Sequence, residues 1–226
     1  MVNGFNLWCI RSSVADLGTA LSVATDADTV YNIVITDKNP DMDSFWDHIT
    51  SQKFNLDLLE CSELTNFGTS FSGCDSCFGI TLPSSITTIE EVAFMGCKNL
   101  SYVTLPEGLT EICLATFYGC TNLSKINIPT TVDFIGVSVF WGCEKLSEVV
   151  IPAGVKNIGN NVFGSNYYLT KLTFEDPTGW YKTSSKSDWE AKTGGEAVDL
   201  SNPATNAANF GASSDNRYAD YYWYKQ

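Results

Sequence analysis

Apolar and polar residues recur along this chain on a long fixed step. Four successive segments, CDSCFGITLPSSITTIEEVAFMG, CKNLSYVTLPEGLTEICLATFYG, CTNLSKINIPTTVDFIGVSVFWG and CEKLSEVVIPAGVKNIGNNVFGS, carry the same residue classes at the same places. Pro83, Pro106, Pro129 and Pro152 lie 23 residues apart, as do Phe71, Phe94, Phe117, Phe140 and Phe163 and the Gly-Cys pairs 73/74, 96/97, 119/120 and 142/143. Self-similarity at a period between about 20 and 50 residues is the signature of a solenoid and overrides local propensity. Within a repeat, Leu100, Val103 and Leu105 predict an inward-facing strand that Pro106 ends, because proline lacks the ladder donor. Leu109, Ile112 and Phe117 predict the return along an opposite wall, and Gly119 the turn back to Cys120. No such coil can bury its apolar face alone, so each relies on its neighbours.

The pattern decays at both ends. Residues 14–24 predict a helix burying Val14, Leu17, Ala20, Leu21 and Ala24; 30–36 a strand; 44–52 a second helix capped by Asp43 or Ser44; and 54–59 a strand. This unit is placed to cap the first coil. Residues 61–73 read as a shortened coil without its strand. Residues 167–174 predict a further strand, with Asn166 at the cysteine position and Ser165 at the glycine position. The remainder reads as a C-terminal cap anchored by Trp180, Trp189 and Phe210, and its YADYYWYK end as either a last strand or an adhesive tail. The expected class is therefore predominantly β: a solenoid of 23-residue repeats with a parallel sheet, a small αβ N-terminal cap (1–55), the solenoid (56–174) and a C-terminal cap with an aromatic tail (175–226).

The repeat AFMGCKNLSYVTLPEGLTEI, the copy VFWGCEKLSEVVIPAGVKNIG and the lead-in LDLLECSELTNFG closely resemble the BspA-like leucine-rich repeats of bacterial surface proteins. The resemblance covers about residues 54–174, and the W-Y-x-T and Y-Y-W-Y-K elements of the tail are similar to those of some host-associated members. Cys77 for leucine, Leu114 for glycine and Phe134 depart from the pattern locally. The resemblance implies a non-enzymatic protein of the cell surface, or a secreted one. Its solenoid face would serve adhesion to, or recognition of, a protein ligand: a host extracellular-matrix or bacterial surface protein. The alternative is a structural scaffold module in a larger envelope assembly, self-associating through the aromatic tail.

Charge narrows the partners. The net charge is −13, with 26 acids against 13 bases. Such a surface repels phosphate backbones and anionic membranes. No run of about 18 apolar residues offers a membrane span, and residues 1–13 lack the basic region of a secretory signal. The chain is expected to be a monomer that takes no cofactor.

Motifs with possible chemistry are few. Eight cysteines could form disulfides, but Cys74, Cys97, Cys120 and Cys143 hold one position in successive coils and are expected to stack as a buried thiol ladder. Cys74-x-x-Cys77 would be half a zinc site, but Cys77 stands where the other repeats carry leucine. Asp37, Asn39, Asp41 and Asp43 resemble half of a calcium loop, without its glycine and with His48 at the position of the final acid. His48, the only histidine, has no nucleophile motif to serve. Asn99 and Asn122 begin formal glycosylation sequons that arise from the repeat itself. The exposed strand positions Tyr102, Thr104, Lys125, Asn127, Glu148, Val150, Lys171 and Thr173, with Met95, Tyr118 and Trp141 at the turns, carry the binding signal. Tyr102, Tyr118, Lys125, Trp141 and Glu148 are the candidate protein-binding residues. Tyr118 and Trp141 have a second reading, as a stack that covers the ridge.

Overall fold

A computed structural model describes residues 9–22, 24, 26, 28–49, 52–211 and 220–226. The stretch 1–8, positions 50 and 51 of the second expected helix, and Tyr218 and Ala219 of the YADYYWYK end lie outside the described residues. The chain forms a predominantly β solenoid with a long parallel wall and a short return wall.

The first strands are β1 (Cys9–Ser12) and, after helix α1 (Leu17–Leu21), β2 (Val30–Ile35). Helix α2 (Met42–Phe45) follows. Each subsequent coil gives a long-wall strand and then a two-residue return strand. These are β3 (Lys53–Asp57) with β4 (Asn66–Phe67), β5 (Cys77–Thr81) with β6 (Thr88–Ile89), and β7 (Tyr102–Thr104) with β8 (Glu111–Ile112). Then come β9 (Lys125–Ile126) with β10 (Phe134–Ile135), and β11 (Glu148–Ile151) with β12 (Asn157–Ile158). Strand β13 (Lys171–Phe174) closes the long wall. The chain ends with β14 (Trp180–Thr183), α3 (Lys186–Ala191), β15 (Glu196–Val198), α4 (Pro203–Gly211) and β16 (Tyr222–Lys225).

The core is built from two ladders that the 23-residue step stacks. Phe94, Phe117, Phe140 and Phe163 are fully buried, with ring centroids 5.4, 5.6 and 5.5 Å apart and planes within 10° of parallel. Such offset stacks add to the area each ring buries. The cysteines are free thiols, and their ladder has a hydrogen-bonding reason. Cys97 donates to the carbonyl of Phe71 at 2.9 Å, Cys120 to that of Phe94 at 3.1 Å, and Cys143 to that of Phe117 at 3.2 Å. Each thiol thus ties its coil to the one before it. The glycines 73, 96, 119 and 142 all have φ near +70°, a conformation that glycine adopts without strain. Ser165 takes the same place at φ 60°, and Val92, Ala115, Ser138 and Asn161 form a second left-handed series.

The N-terminal segment departs from expectation in an instructive way. Strands β1, β2 and β3 lie in one parallel sheet with β5, β7 and β9, and Cys9 pairs with Asn32 and Asn32 with Asn55. The 23-residue step therefore continues through a segment that lacks the repeat motif. Asn55 Nδ2 donates to Asn32 Oδ1 at 2.9 Å across it. Consequently 61–73 is not a shortened coil: it is the return half of a coil whose strand is β3. The resemblance of Cys61-x-x-Leu64 to the later Cys-x-x-Leu is out of phase, and the Cys61 thiol points to the carbonyl of Ile35. A register shift at Phe54/Asn55 breaks the motif's alignment there.

Both expected N-terminal helices are shorter than the sequence pattern. In α1, Leu17 and Leu21 are buried. Helix α2 starts earlier because Asp41, not Asp43 or Ser44, is the cap, accepting from the backbone N–H groups of Asp43 and Ser44. It runs on as tighter turns, with His48 N–H donating to Phe45 O.

At the other end β16 inserts antiparallel between β12 and β14, burying Trp223 and Tyr224. The aromatic end is a cap strand. Trp180, Trp189 and Phe210 are buried as expected, and Trp189 Nε1 donates to Trp223 O. Asn206, buried in α4, donates to the carbonyls of Leu172 and Leu200, satisfying backbone at the last coil.

The candidate binding surface

Alternation along the long wall sorts its residues. Val103, Val149 and Leu172 point into the core, while Tyr102, Lys125, Glu148 and Lys171 face outward on successive strands. Tyr102 lies directly opposite Lys125 in the β7–β9 register, and Glu148 opposite Lys171, to which it is paired at 3.7 Å. Val150, also outward, is 47% exposed.

Tyr102 has a structural duty beside its exposure of 41%. Its ring covers Gly79, its partner on β5, so closely that a Cβ there would lie 2.1 Å from the ring. Partial burial pushes its phenol pKa up, with the nearby Cys77 and Asp57 acting in the same direction. The candidate residue and a glycine one coil earlier are therefore one unit.

Tyr118 and Trp141 are not on the sheet. They stand at the turns and stack on each other, with centroids 4.6 Å apart and planes 10° from parallel. Trp141 also lies over Gly164, leaving no room for a side chain there. Both rings are half-buried, and Met95 continues the ridge at 40% exposure. Two further exposed rings that the repeat pattern did not single out, Tyr167 and Tyr168, are 62% and 67% exposed at the turn into β13.

The structure brings Lys125 and Glu148 together. Both line one cleft of about 500 Å³ on the long wall, with Ser124, Ile126, Asn127 and Ser147. Tyr102 flanks it from β7, while Tyr118 and Trp141 belong to the separate ridge.

The motifs with possible chemistry are occupied by structure. Cys77 is buried at a core position with its thiol toward Gly79 O, and burial raises its pKa. Cys74 is pushed up to about 11, again chiefly by burial. Asp37 accepts from Val14 N–H at 2.6 Å, and Asp41 caps α2. His48 packs over Gly18. Asn99 and Asn122 spend their amide groups across coils, Asn99 on Asp75 O at 2.8 Å and Asn122 on Lys98 O at 2.7 Å. Among the described residues no group of three or more His, Cys, Asp or Glu side chains could hold a metal ion, and no helix is long and apolar enough to cross a membrane.

Comparison with known proteins places this architecture. No curated protein matches the sequence. The solved leucine rich repeat protein of T. pallidum is 32% identical, with a TM-score of 0.51, over 62% of this chain and 63% of that one. A leucine-rich repeat protein from Bacteroides ovatus is 33% identical over 49% of this chain and 29% of that one, with a TM-score of 0.48. A leucine rich cell surface protein from Faecalibacterium prausnitzii is 19% identical over 77% of this chain and 61% of that one, with a TM-score of 0.41. The chain thus spans less than two thirds of the length of each. A family model for the BspA type leucine rich repeat region matches residues 65–183 in six copies. That match covers more than half of the sequence and coincides with the stacked coils, their phenylalanine spine and their thiol ladder: the chain belongs to the BspA type leucine rich repeat family.

Proposed function

We propose that this protein is a non-catalytic recognition or adhesion protein of the cell surface, or a secreted one. It would bind host extracellular-matrix or bacterial surface proteins through its solenoid. The described part of residues 1–55, whose strands β1 to β3 extend the sheet of the 56–174 solenoid, would form its one end and residues 175–226 would close the other, and the protein would act as a monomer. The observation that carries this reading is the long wall itself: Tyr102, Lys125 and Glu148 stand outward on consecutive strands, while their chain neighbours fill the core. Tyrosine is enriched at interface centres, and the charged groups beside it fit the polar rim of such a patch. The ridge of Tyr118 and Trp141 is the second candidate patch, although their mutual stacking and the contact of Trp141 with Gly164 give them a covering role as well. The scaffold reading loses its interface, because the aromatic tail is spent as a buried cap strand.

The test is capture from extracellular-matrix and bacterial-envelope preparations by three proteins: the native chain, a Tyr102→Ala/Lys125→Ala/Glu148→Ala variant and a Tyr118→Ala/Trp141→Ala variant. A partner held by the native chain and lost by the first variant places the site on the wall. Loss only in the second moves it to the ridge. Capture of no partner by the native chain would refute the adhesion reading.

A further inference from the structure

The long wall is not one unbroken sheet. Parallel pairing runs from β1 to β9 and resumes between β11 and β13, but β9 and β11 are not paired. Three other junctions are tied at one repeated position, while the coils flanking the seam are joined just before it by Lys145 N–H donating to Thr121 O at 3.2 Å. Ser101 N–H donates to Phe78 O, Ser124 N–H to Ser101 O and Thr170 N–H to Ser147 O. The hydroxyls repeat the same bonds: Ser101 Oγ to Phe78 O, Ser124 Oγ to Ser101 O and Thr170 Oγ1 to Ser147 O. Ser147 holds this position in its own coil, yet neither its N–H nor its hydroxyl reaches Ser124 O. Ile126 is half-buried, whereas Ile80, Val103, Val149 and Leu172 at the equivalent place are buried.

The parting is confined to one wall. On the return wall β10 pairs with both β8 and β12, and Phe117 stacks on Phe140 at 5.6 Å. The sequence also departs from the series here. Asn127 stands where the neighbouring coils have Thr81, Thr104, Val150 and Thr173, and asparagine is depleted in strands where β-branched residues are favoured.

We propose that this seam is a docking cleft for an extended acidic segment of a partner protein, held by local donors against the overall negative charge of the chain. The proposal rests on the reading of the long wall as the binding face. One lip offers the Ser147 N–H and hydroxyl as unpaired donors, and Lys125 adds an ammonium group that makes no ion pair among the described residues. Three donors on the residues of one cleft suit a carboxylate, and charge-assisted bonds of this kind are stronger than neutral ones. The other lip offers the unpaired Ser124 carbonyl, which can accept from a peptide N–H. Glu148 also lines the cleft, but its carboxylate pairs with Lys171 of β13, on the side away from Lys125. The half-buried Ile126 gives the floor an apolar contact.

The test combines amide exchange with an NMR titration of the full chain. Three probes are used: an acetylated and amidated peptide of alternating aspartate and serine, its lysine-for-aspartate twin, and a neutral oligosaccharide. The Ser147 amide is expected to exchange faster than that of Thr170. The acidic peptide alone is expected to shift Ser147 and Val149, with about tenfold weaker binding after Lys125→Ala, a loss near 1.4 kcal/mol. Asn127→Thr is expected to close the seam, slowing exchange at Ser147 and abolishing the shifts. Equal protection of Ser147 and Thr170, binding of the twin or the sugar at the seam, or no response there to the acidic peptide would each overturn the proposal. A natural partner captured through Tyr102 but indifferent to Asn127→Thr would remove the seam and leave the wall standing. Peptide binding at the seam without any captured partner would do the reverse.

Discussion

Asn166 occupies the cysteine position of the last coil, and replacing it with cysteine should stabilise the protein. Its side chain is 1% exposed, and neither Oδ1 nor Nδ2 has a hydrogen-bond partner. Leaving a buried polar group unsatisfied costs about 1–3 kcal/mol. In Asn166→Cys the thiol would stand one coil beyond Cys143, and the ladder geometry would direct it to Phe140 O as Cys143 is directed to Phe117 O. Cysteine is smaller than asparagine, and the vacated space costs roughly 1 kcal/mol by the cavity argument. The net gain is then about 0–2 kcal/mol, and its centre, about 1 kcal/mol, is a rise of roughly 2–4 °C in Tm for a chain of this length. The assay is thermal unfolding under reducing conditions, with exchange of the Leu172 amide reporting the last coil. The backbone bond from Asn166 N–H to Gly211 O is independent of the side chain and should survive. An unchanged or lower Tm would refute the reasoning, because it would mean that the carboxamide stabilises the coil as it stands.

Three further outcomes follow from the same core. Phe117→Ala removes the ring stacked between Phe94 and Phe140 and should cost about 3–5 kcal/mol in chemical denaturation; a cost below 1 kcal/mol would mean the spine packs loosely. In native protein at mildly alkaline pH only exposed Cys9 should react rapidly with a thiol reagent, Cys74 and Cys113, each held near pKa 11 by burial, should react slowly, and buried Cys61, Cys77, Cys97, Cys120 and Cys143 should need unfolding. The hydrogen bond from Lys225, and then that from Thr178, hold the Asp176 carboxyl down at about 2 from 3.8, so the stability it contributes is complete above the upper value and disappears as pH falls towards the lower. Asp176→Asn should flatten the pH dependence of unfolding in that window, and an unaltered slope would exclude the pair as its source.

What was legible in the sequence was whatever the 23-residue step repeats in kind. The phenylalanine spine, the thiol ladder and the glycine turns could be read because one side-chain type satisfies one geometry in every coil. The N-terminal strands obey the same step but not the same alphabet: Ile10, Ile33 and Leu56 are 23 residues apart and all buried, and Asn32 and Asn55 bond across it, yet no cysteine, proline or phenylalanine marks the phase. A search for the step in burial class, rather than for the motif, would have found them. The second left-handed series was hidden for a different reason. Valine, alanine, serine and asparagine share no property that announces positive φ, and only Asn161 is a residue that favours it. There the cost falls on the individual residue and is borne by the stack around it. The candidate surface was half legible. Outward alternation gave Tyr102, Lys125 and Glu148, but the dependence of Tyr102 on Gly79 joins residues in different coils. The open seam was written in a single letter, Asn127 among β-branched equivalents. In a fold whose stability comes from sameness between coils, a position that breaks the series and coincides with a lost strand pair is the first place to test for a role other than stability.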